Sequence, residues 1–226
     1  MRWNRLLFAH WPVDFDALRP LVPEGLELET FDGTAWVGVV PFDMTRVRPR
    51  FVPPIPWLSR SAELNVRTYV TAGGKPGVWF FSLDAERALA VWGARLTYHL
   101  PYFKAAMRVH VREGGWIEYA SRRTHRGAAS ARFKGRYRPT GEVDHSRPGS
   151  LDYFLTERMC LYARRADGRL LRADIDHQPW PLQPAEGMFE ENTMAEASGI
   201  RLPGVPPLLH YAERIDAVAW WPVPVD

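Results

Sequence analysis

Residues 61–70 read SAELNVRTYV. Ala62, Leu64, Val66, Thr68 and Val70 alternate with Glu63, Asn65, Arg67 and Tyr69. Successive side chains of a β-strand point to opposite faces, so this period of two predicts a strand. Four hydrogen-bonding groups then stand in a row at intervals of roughly 7 Å. In an open sheet such a row is a solvated face. In a closed sheet it can line the interior, where a carboxylate and a guanidinium would orient a small polar ligand. The alternation leaves both readings open.

The flanking sequence supplies more strands. RLLFAHW (5–11) reads as a first strand, and DFDALRPLVP (14–23) as a short helix opened by Asp14 and stopped by proline. LELET and TAWVGVVPF (26–42) surround Asp32-Gly33, which predicts a hairpin. The proline-rich stretch 47–57 predicts a loop or lid. GGKPG (73–77) turns the chain into VWFFSL, apolar on both faces and hence central. From Asp84 the period changes: DAERALAVWGARLTYHL has Leu89, Trp92 and Leu96 at helical spacing, with Pro101 beyond its end. Period two then returns through 103–112, and EGG leads into WIEYASRRT and ARFKGRYR, an antiparallel meander. SLDYFLTE (150–157) predicts a capped helical turn, CLYARR-ADG-RLLRADI (160–175) a hairpin, FEENTMAEAS (189–198) a helix and LLHYAERIDAVAWW (208–221) a last strand. The class is α+β: a large curved or closed antiparallel sheet with a few packed helices.

With 226 residues and no repeat or composition break, 1–226 is expected to be a single domain. A net charge of +3 is too mild to imply nucleic acid. Arg132, Lys134, Arg136 and Arg138 form a basic stripe, but Phe133 and Tyr137 point to the opposite face and cannot join it in one groove. A solvated face is expected, with no nucleic-acid partner. The rival reading is a structural module that binds a partner through this stripe. The N-terminus lacks a signal-peptide pattern and the apolar runs are too short for a membrane span, so a cytoplasmic location and no membrane partner are expected. Oligomeric state, including a homo-oligomer, is left open. One cysteine, Cys160, excludes an intrachain disulfide and reads as a core residue. The scattered histidines have no ligand spacing, no phosphate loop or nucleophile elbow occurs, and neither a metal nor another cofactor is expected.

ARLTYHLPYFKA (94–105) poses the sharpest chemical question. Of the three lysines, Lys75, Lys104 and Lys134, the second lies beside Pro101 with Arg108 two steps along its strand face. A nearby cation or desolvation can lower a lysine's pKa enough for Schiff-base chemistry with a carbonyl. The simpler reading is a strand lysine reaching water.

Several stretches in matching order resemble the YqjF-like family, an uncharacterised bacterial group itself similar in fold to acetoacetate decarboxylase. They are LLFAHWPVD (6–14), FDGTAWVGVVPF (31–42), ELNVRTYV (63–70), residues 78–105, FLTERMCLY (154–162) and IDHQPWPLQPAE (175–186). The resemblance implies a wide antiparallel β-barrel or cone around a ligand cavity, with helices outside. The decarboxylase pattern puts acidic groups near Glu63 and Asp84, and a glycine-arginine before a proline that two lysines follow. Arg95 and Pro101 match; the two positions after the proline are Tyr102 and Phe103, and Lys104 comes one place later. Tyr102 and Lys104 share a face one pleat apart, roughly 7 Å. An imine needs its amine within about 3–3.5 Å of the carbonyl carbon.

The resulting expectation is a protein that binds a small carbonyl- or carboxylate-bearing molecule. Its polar contacts would be Glu63, Asn65, Arg67, Arg95, Tyr98 and Tyr102, with Trp57, Trp92 and Trp180 as walls. Arg67 or Arg95 could pair a carboxylate bidentately. Glu157, Arg158 and His177 add titratable groups near the mouth, or else form a buried ion pair and a turn. The alternative is a lyase or decarboxylase-like enzyme using Glu63 or Asp84 as acid/base and Lys104 as nucleophile.

Overall fold

The computed structural model describes residues 1–47, 61–87 and 97–225. The proline-rich loop, most of the predicted 84–99 helix, and Trp57, Trp92 and Arg95 lie outside these residues. Among the described residues the strands are β1 (Arg2–Val13), β2 (Glu27–Leu28), β3 (Ala35–Thr45), β4 (Ser61–Ala72), β5 (Lys75–Ala85), β6 (Tyr102–Val111), β7 (Ile117–Arg123), β8 (Arg132–Pro139), β9 (Cys160–Arg164), β10 (Leu170–His177), β11 (Gln183–Asn192), β12 (Leu208–Ala219) and β13 (Val223–Pro224). All belong to one sheet.

The sheet closes, and it closes twice. Hydrogen-bonded neighbours run β5-β6-β7-β8-β11-β12-β1-β3-β4, and β4 returns to β5. A smaller circuit leaves the first at both ends of a shared wall. At β5, Leu83–Ala85 pair with β6 while Val78 and Trp79 pair with β9, both in parallel. At β12, His210 and Tyr211 pair with β11 while Ala217–Ala219 pair with β10. The pairing of β9 with β10 completes the smaller ring. The five strands β5-β4-β3-β1-β12 are therefore common to both.

A wall between two interiors has no wet face, and β4 is buried along almost its whole length. Its Leu64, Val66 and Val70 join Leu7, Ala9, Val37 and Val39 in the large apolar cluster that fills the wider ring, with Tyr119, Phe133 and Tyr137 from the far side. The opposite face looks into the smaller ring. There Phe8, Val40, Phe42 and Trp180 form one apolar cluster, and Tyr69, Phe80, Leu83, Leu155 and Leu161 another.

The β6-β7-β8 meander and the β9-β10 hairpin form where the sequence places them. Ser150 caps the helix Leu151–Thr156 by accepting the Tyr153 N–H at 3.2 Å. Three expectations change. The Asp32-Gly33 turn forms, but the residues before it pair with β4 (Glu27 with Thr71), so β2 and β3 are not a hairpin. The predicted 189–198 helix is replaced at its start by the end of β11, where Phe189 pairs with Gly135 and a bulge follows; only Glu196–Ser198 coil, as a 3-10 turn. Ladder bonds to β8 outweigh the local helix preference of a Glu-rich stretch. Lastly, Asp84 and Ala85 end β5 rather than opening a helix.

The basic stripe of β8 is exposed and matched by acids on β11, with Lys134 on Glu190, Arg138 on Glu186 and Arg132 near Glu191. Arg136 and Arg138 also lie over Trp116, while Phe133 and Tyr137 are buried on the other side. No helix among the described residues is long and apolar enough to cross a membrane.

The most deeply buried ion pair sits where β5 and β7 approach. Arg123 donates to both Asp84 carboxylate oxygens, at 2.8 and 2.6 Å, and lies 4.0 Å over the Phe103 ring. Truncating one partner of such a pair strands the other charge. Arg123→Met should lower the free energy of unfolding by about 3–5 kcal/mol. The double replacement Asp84→Leu with Arg123→Met should recover most of that loss, as read by urea denaturation.

Candidate functional site

The inner face of the smaller ring carries the polar row of β4. Glu63, Asn65, Arg67 and Tyr69 are all buried. Cross-strand register sets their neighbours: Phe42 beside Glu63, Val40 beside Asn65 and Gly38 beside Arg67, with His10 next in line across Gly38. A Cβ at position 38 would come within 3.0 Å of His10 Cδ2 and 3.5 Å of Arg67 Cγ. Glycine there lets the imidazole and the guanidinium stem occupy adjoining positions on the face.

Glu63 marks one end of the row. Tyr102, the first residue of β6, donates its hydroxyl proton to Glu63 Oε2 at 2.9 Å. Tyr119 crosses from the wider ring and donates to the Glu63 backbone carbonyl at 2.7 Å. Burial drives the Glu63 carboxyl up to about 8; the Tyr102 bond opposes this and the nearby Asp84 charge adds to it. Near neutral pH the site therefore offers a carboxylic acid, a proton donor in an apolar setting.

Arg67 and Tyr69 occupy the other end. The last carbonyls of a helix have no partner within it, and the Leu155 carbonyl accepts from Arg67 Nη2 at 3.0 Å and from Tyr69 Oη at 2.7 Å. Tyr69 Oη also lies 2.6 Å from His10 Nε2. Burial, with Arg67 nearby, holds the His10 imidazole well below its ordinary value, so it is neutral. Arg158 stacks over Phe154 and Tyr69 and is paired with Glu29. Trp180 packs in parallel with Trp3, 5.7 Å between centroids, and edge-on to Phe8 at 4.9 Å. His177 lies against Trp180 at 5.1 Å and its Nδ1 is 2.7 Å from the Gln178 carbonyl oxygen. Glu157 accepts the Trp180 backbone N–H at 2.8 Å.

The structure thus brings Glu63, Asn65, Arg67, Tyr102, Arg158, His177 and Trp180 to one side of the shared wall. Tyr98 stacks on Trp221 and packs with Tyr102 in the same apolar cluster. Asp84 and Lys104 stand apart. Asp84 pairs in register with Leu64, which faces the wider ring, and is held by Arg123. Lys104 is exposed on β6. Although it shares Tyr102's parity, its side chain faces solvent. Lys75 bonds Asp174 and Lys134 bonds Glu190, both at the surface, so no lysine of the chain is buried beside Glu63.

His10, Gly38 and the Leu155 carbonyl were not singled out in the sequence. A parity argument could have flagged His10, which alternates with the apolar Leu7, Ala9 and Trp11 just as Arg67 alternates with Val66. Among the described residues no three of His, Cys, Asp or Glu are grouped as metal ligands.

The fold is similar to that of solved structures. The chain superposes over its full length on MppR, an enduracididine biosynthesis enzyme, in complex with the condensation product of pyruvate and imidazole 4-carboxaldehyde (TM-score 0.68, 13% identity, 88% of that chain covered). It superposes equally completely on acetoacetate decarboxylase from Legionella pneumophila (TM-score 0.65, 15% identity, 88% of that chain covered). At such identities the fold is what is shared, and it is of the acetoacetate decarboxylase-like class. Residues 1–216 match the model of DUF2071, described as an uncharacterized conserved protein. The chain is 49% identical over 218 residues to the uncharacterized protein YqjF of Bacillus subtilis (strain 168), covering 96% of this chain and 88% of that one. It belongs to this family.

The raised Glu63 value has a consequence for stability. The folded state holds this proton to higher pH than the unfolded chain, whose carboxyl titrates near 4.5. Stability linked to the protonated form is complete below that pH and is lost as pH rises through about 8. The stability of the native chain against thermal unfolding should therefore fall between pH 5 and 9, by roughly 2–5 kcal/mol if the carboxyl ionises in place. Glu63→Gln, which keeps an acceptor for Tyr102, should flatten that slope and be the more stable form at pH 9.

Proposed function

We propose that the polar face of the smaller ring is a binding site for a small organic molecule bearing a carboxylate or a carbonyl, in a cytoplasmic protein. One observation carries this reading. Buried polar atoms are normally paired, and leaving one unpaired costs about 1–3 kcal/mol. On this single face His10 Nδ1, Trp36 Nε1, Asn65 Oδ1, Arg67 Nε, Trp180 Nε1 and His210 Nδ1 have no hydrogen-bond partner among the described residues. Donors and acceptors that converge unpaired among aromatic walls have the composition of a small-molecule site. The neighbouring structure of MppR with pyruvate is consistent with a carbonyl acid.

In this reading Glu63 supplies a proton or a hydrogen bond to a ligand oxygen, and Tyr102 fixes the carboxyl's orientation. The phenol at 102 stands where the decarboxylase pattern has an amine, and it can donate a hydrogen bond but cannot form an imine. With all three lysines at the surface, covalent carbonyl chemistry through lysine has no buried nucleophile to use.

A second reading is favoured by the Glu63 carboxyl itself. A group poised near 8 beside a tyrosine is suited to general acid/base work on a carbonyl substrate without an imine.

Thermal-shift screening against short carboxylic acids, oxo acids, aldehydes, ketones and matched amines tests the proposed site. Stabilisation by acids or carbonyl compounds, lost in Asn65→Leu, is expected. Failure of every class to shift the melting temperature would sink the proposal. Borohydride reduction in the presence of an oxo acid, followed by intact mass, should leave the mass unchanged. A trapped adduct on any lysine would overturn the non-covalent reading.

A further inference from the structure

We infer that the ligand of this face is an extended monocarboxylate, with its carboxylate on Arg67 and an uncharged oxygen on the Glu63 carboxyl several carbons away. This deepens the reading above and rests on it.

Arg67 is the starting point. It is 9% exposed and no carboxylate pairs with it among the described residues. The other deeply buried guanidiniums differ: Arg123 holds Asp84 and Arg158 holds Glu29. A buried cation without a counter-charge is costly. The single bond to the Leu155 carbonyl and the Phe8 and Tyr69 rings at 5.2 and 5.7 Å position the guanidinium without neutralising it. Its Nε is buried and unpaired. The neighbouring acids are already engaged elsewhere, Glu29 with Arg158 and Asp152 with His210. An incoming carboxylate supplies the missing charge, and the planar fork of arginine suits it.

The other end of the row sets the length. Glu63 and Arg67 are four residues apart on a continuous strand, roughly 13 Å along the backbone. The Arg67 side chain is tied to Leu155 and Tyr69, which lies still further from Glu63. Pyruvate, whose carbonyl adjoins its carboxylate, cannot meet both ends. Between them stands Asn65, whose unpaired Oδ1 can accept from a hydroxyl or amide on the ligand. The apolar neighbours Val40, Phe42, Phe8 and Trp180 suit an alkyl or aryl spacer.

Calorimetric titration of the full chain with pyruvate, 4-oxopentanoate, 6-oxoheptanoate and 3-(4-acetylphenyl)propanoate reads the length. Each acid is paired with its methyl ester, and 6-oxoheptanoate also with heptanoate. The longer acids should bind at least tenfold more tightly than pyruvate. Their esters should lose tenfold to a hundredfold, and heptanoate should bind more weakly than its oxo counterpart. Arg67→Met should abolish the preference for acid over ester, while Arg67→Lys should keep part of it. Equal or tighter binding of pyruvate, or an acid preference that survives Arg67→Met in a folded variant, overturns the inference. If only neutral or cationic compounds from the wider screen bind, the carboxylate assignment fails while the site stands. If nothing in that screen binds, the site fails with it.

Discussion

The double burial of β4, in the wall that both rings share, is the constraint on which the remaining features depend. A strand with two dry faces ordinarily carries apolar residues on both. β4 instead carries Leu64 and Val66 toward one interior and Glu63, Asn65 and Arg67 toward the other. The first arrangement is a conventional core. The second takes charged and amide groups out of water, which is tolerable only where something satisfies them. The fold satisfies some: Leu155 meets Arg67 and Tyr69, and Tyr102 meets Glu63. The remaining unpaired atoms are the ones on which the proposed binding site rests.

The two interiors also communicate through the wall. Tyr119 reaches from β7 through the wider ring to the Glu63 carbonyl. Asp84, on the wider ring's side, adds to the forces that keep Glu63 protonated, and Arg123 favours the charged form of Asp84 against the burial that opposes it. The apolar core and the buried ion pair therefore support the chemistry of a face they do not touch. Such supporting contacts hold a site's geometry as firmly as the residues that line it.

Family membership and fold class rest on different grounds. The family follows from extensive sequence identity, the class from shape shared at 13–15% identity. The second leaves room for the chemistry to differ, because function resides in the side chains placed on a fold rather than in the fold. Here Tyr102 donates to Glu63, while Lys104, one pleat along the same strand, is turned to solvent.

The alternation in SAELNVRTYV and the meander through 103–138 determined their strands, because a period of two is a local property. The motifs across the chain determined its relatives. Local pattern failed where partners distant in sequence decided the outcome: β2 went to β4, and Phe189–Asn192 joined β8 as strand despite their helical composition. The candidate residues on β4 were legible, but that both faces of the strand are dry was not, since a closed sheet and an open one share the same alternation. Only the tertiary structure separated Glu63 from Asp84 and Lys104: register puts Asp84 with Leu64 on the other face, and Lys104, in line with Glu63 through Ala85, is exposed because β6 lies outside the shared wall.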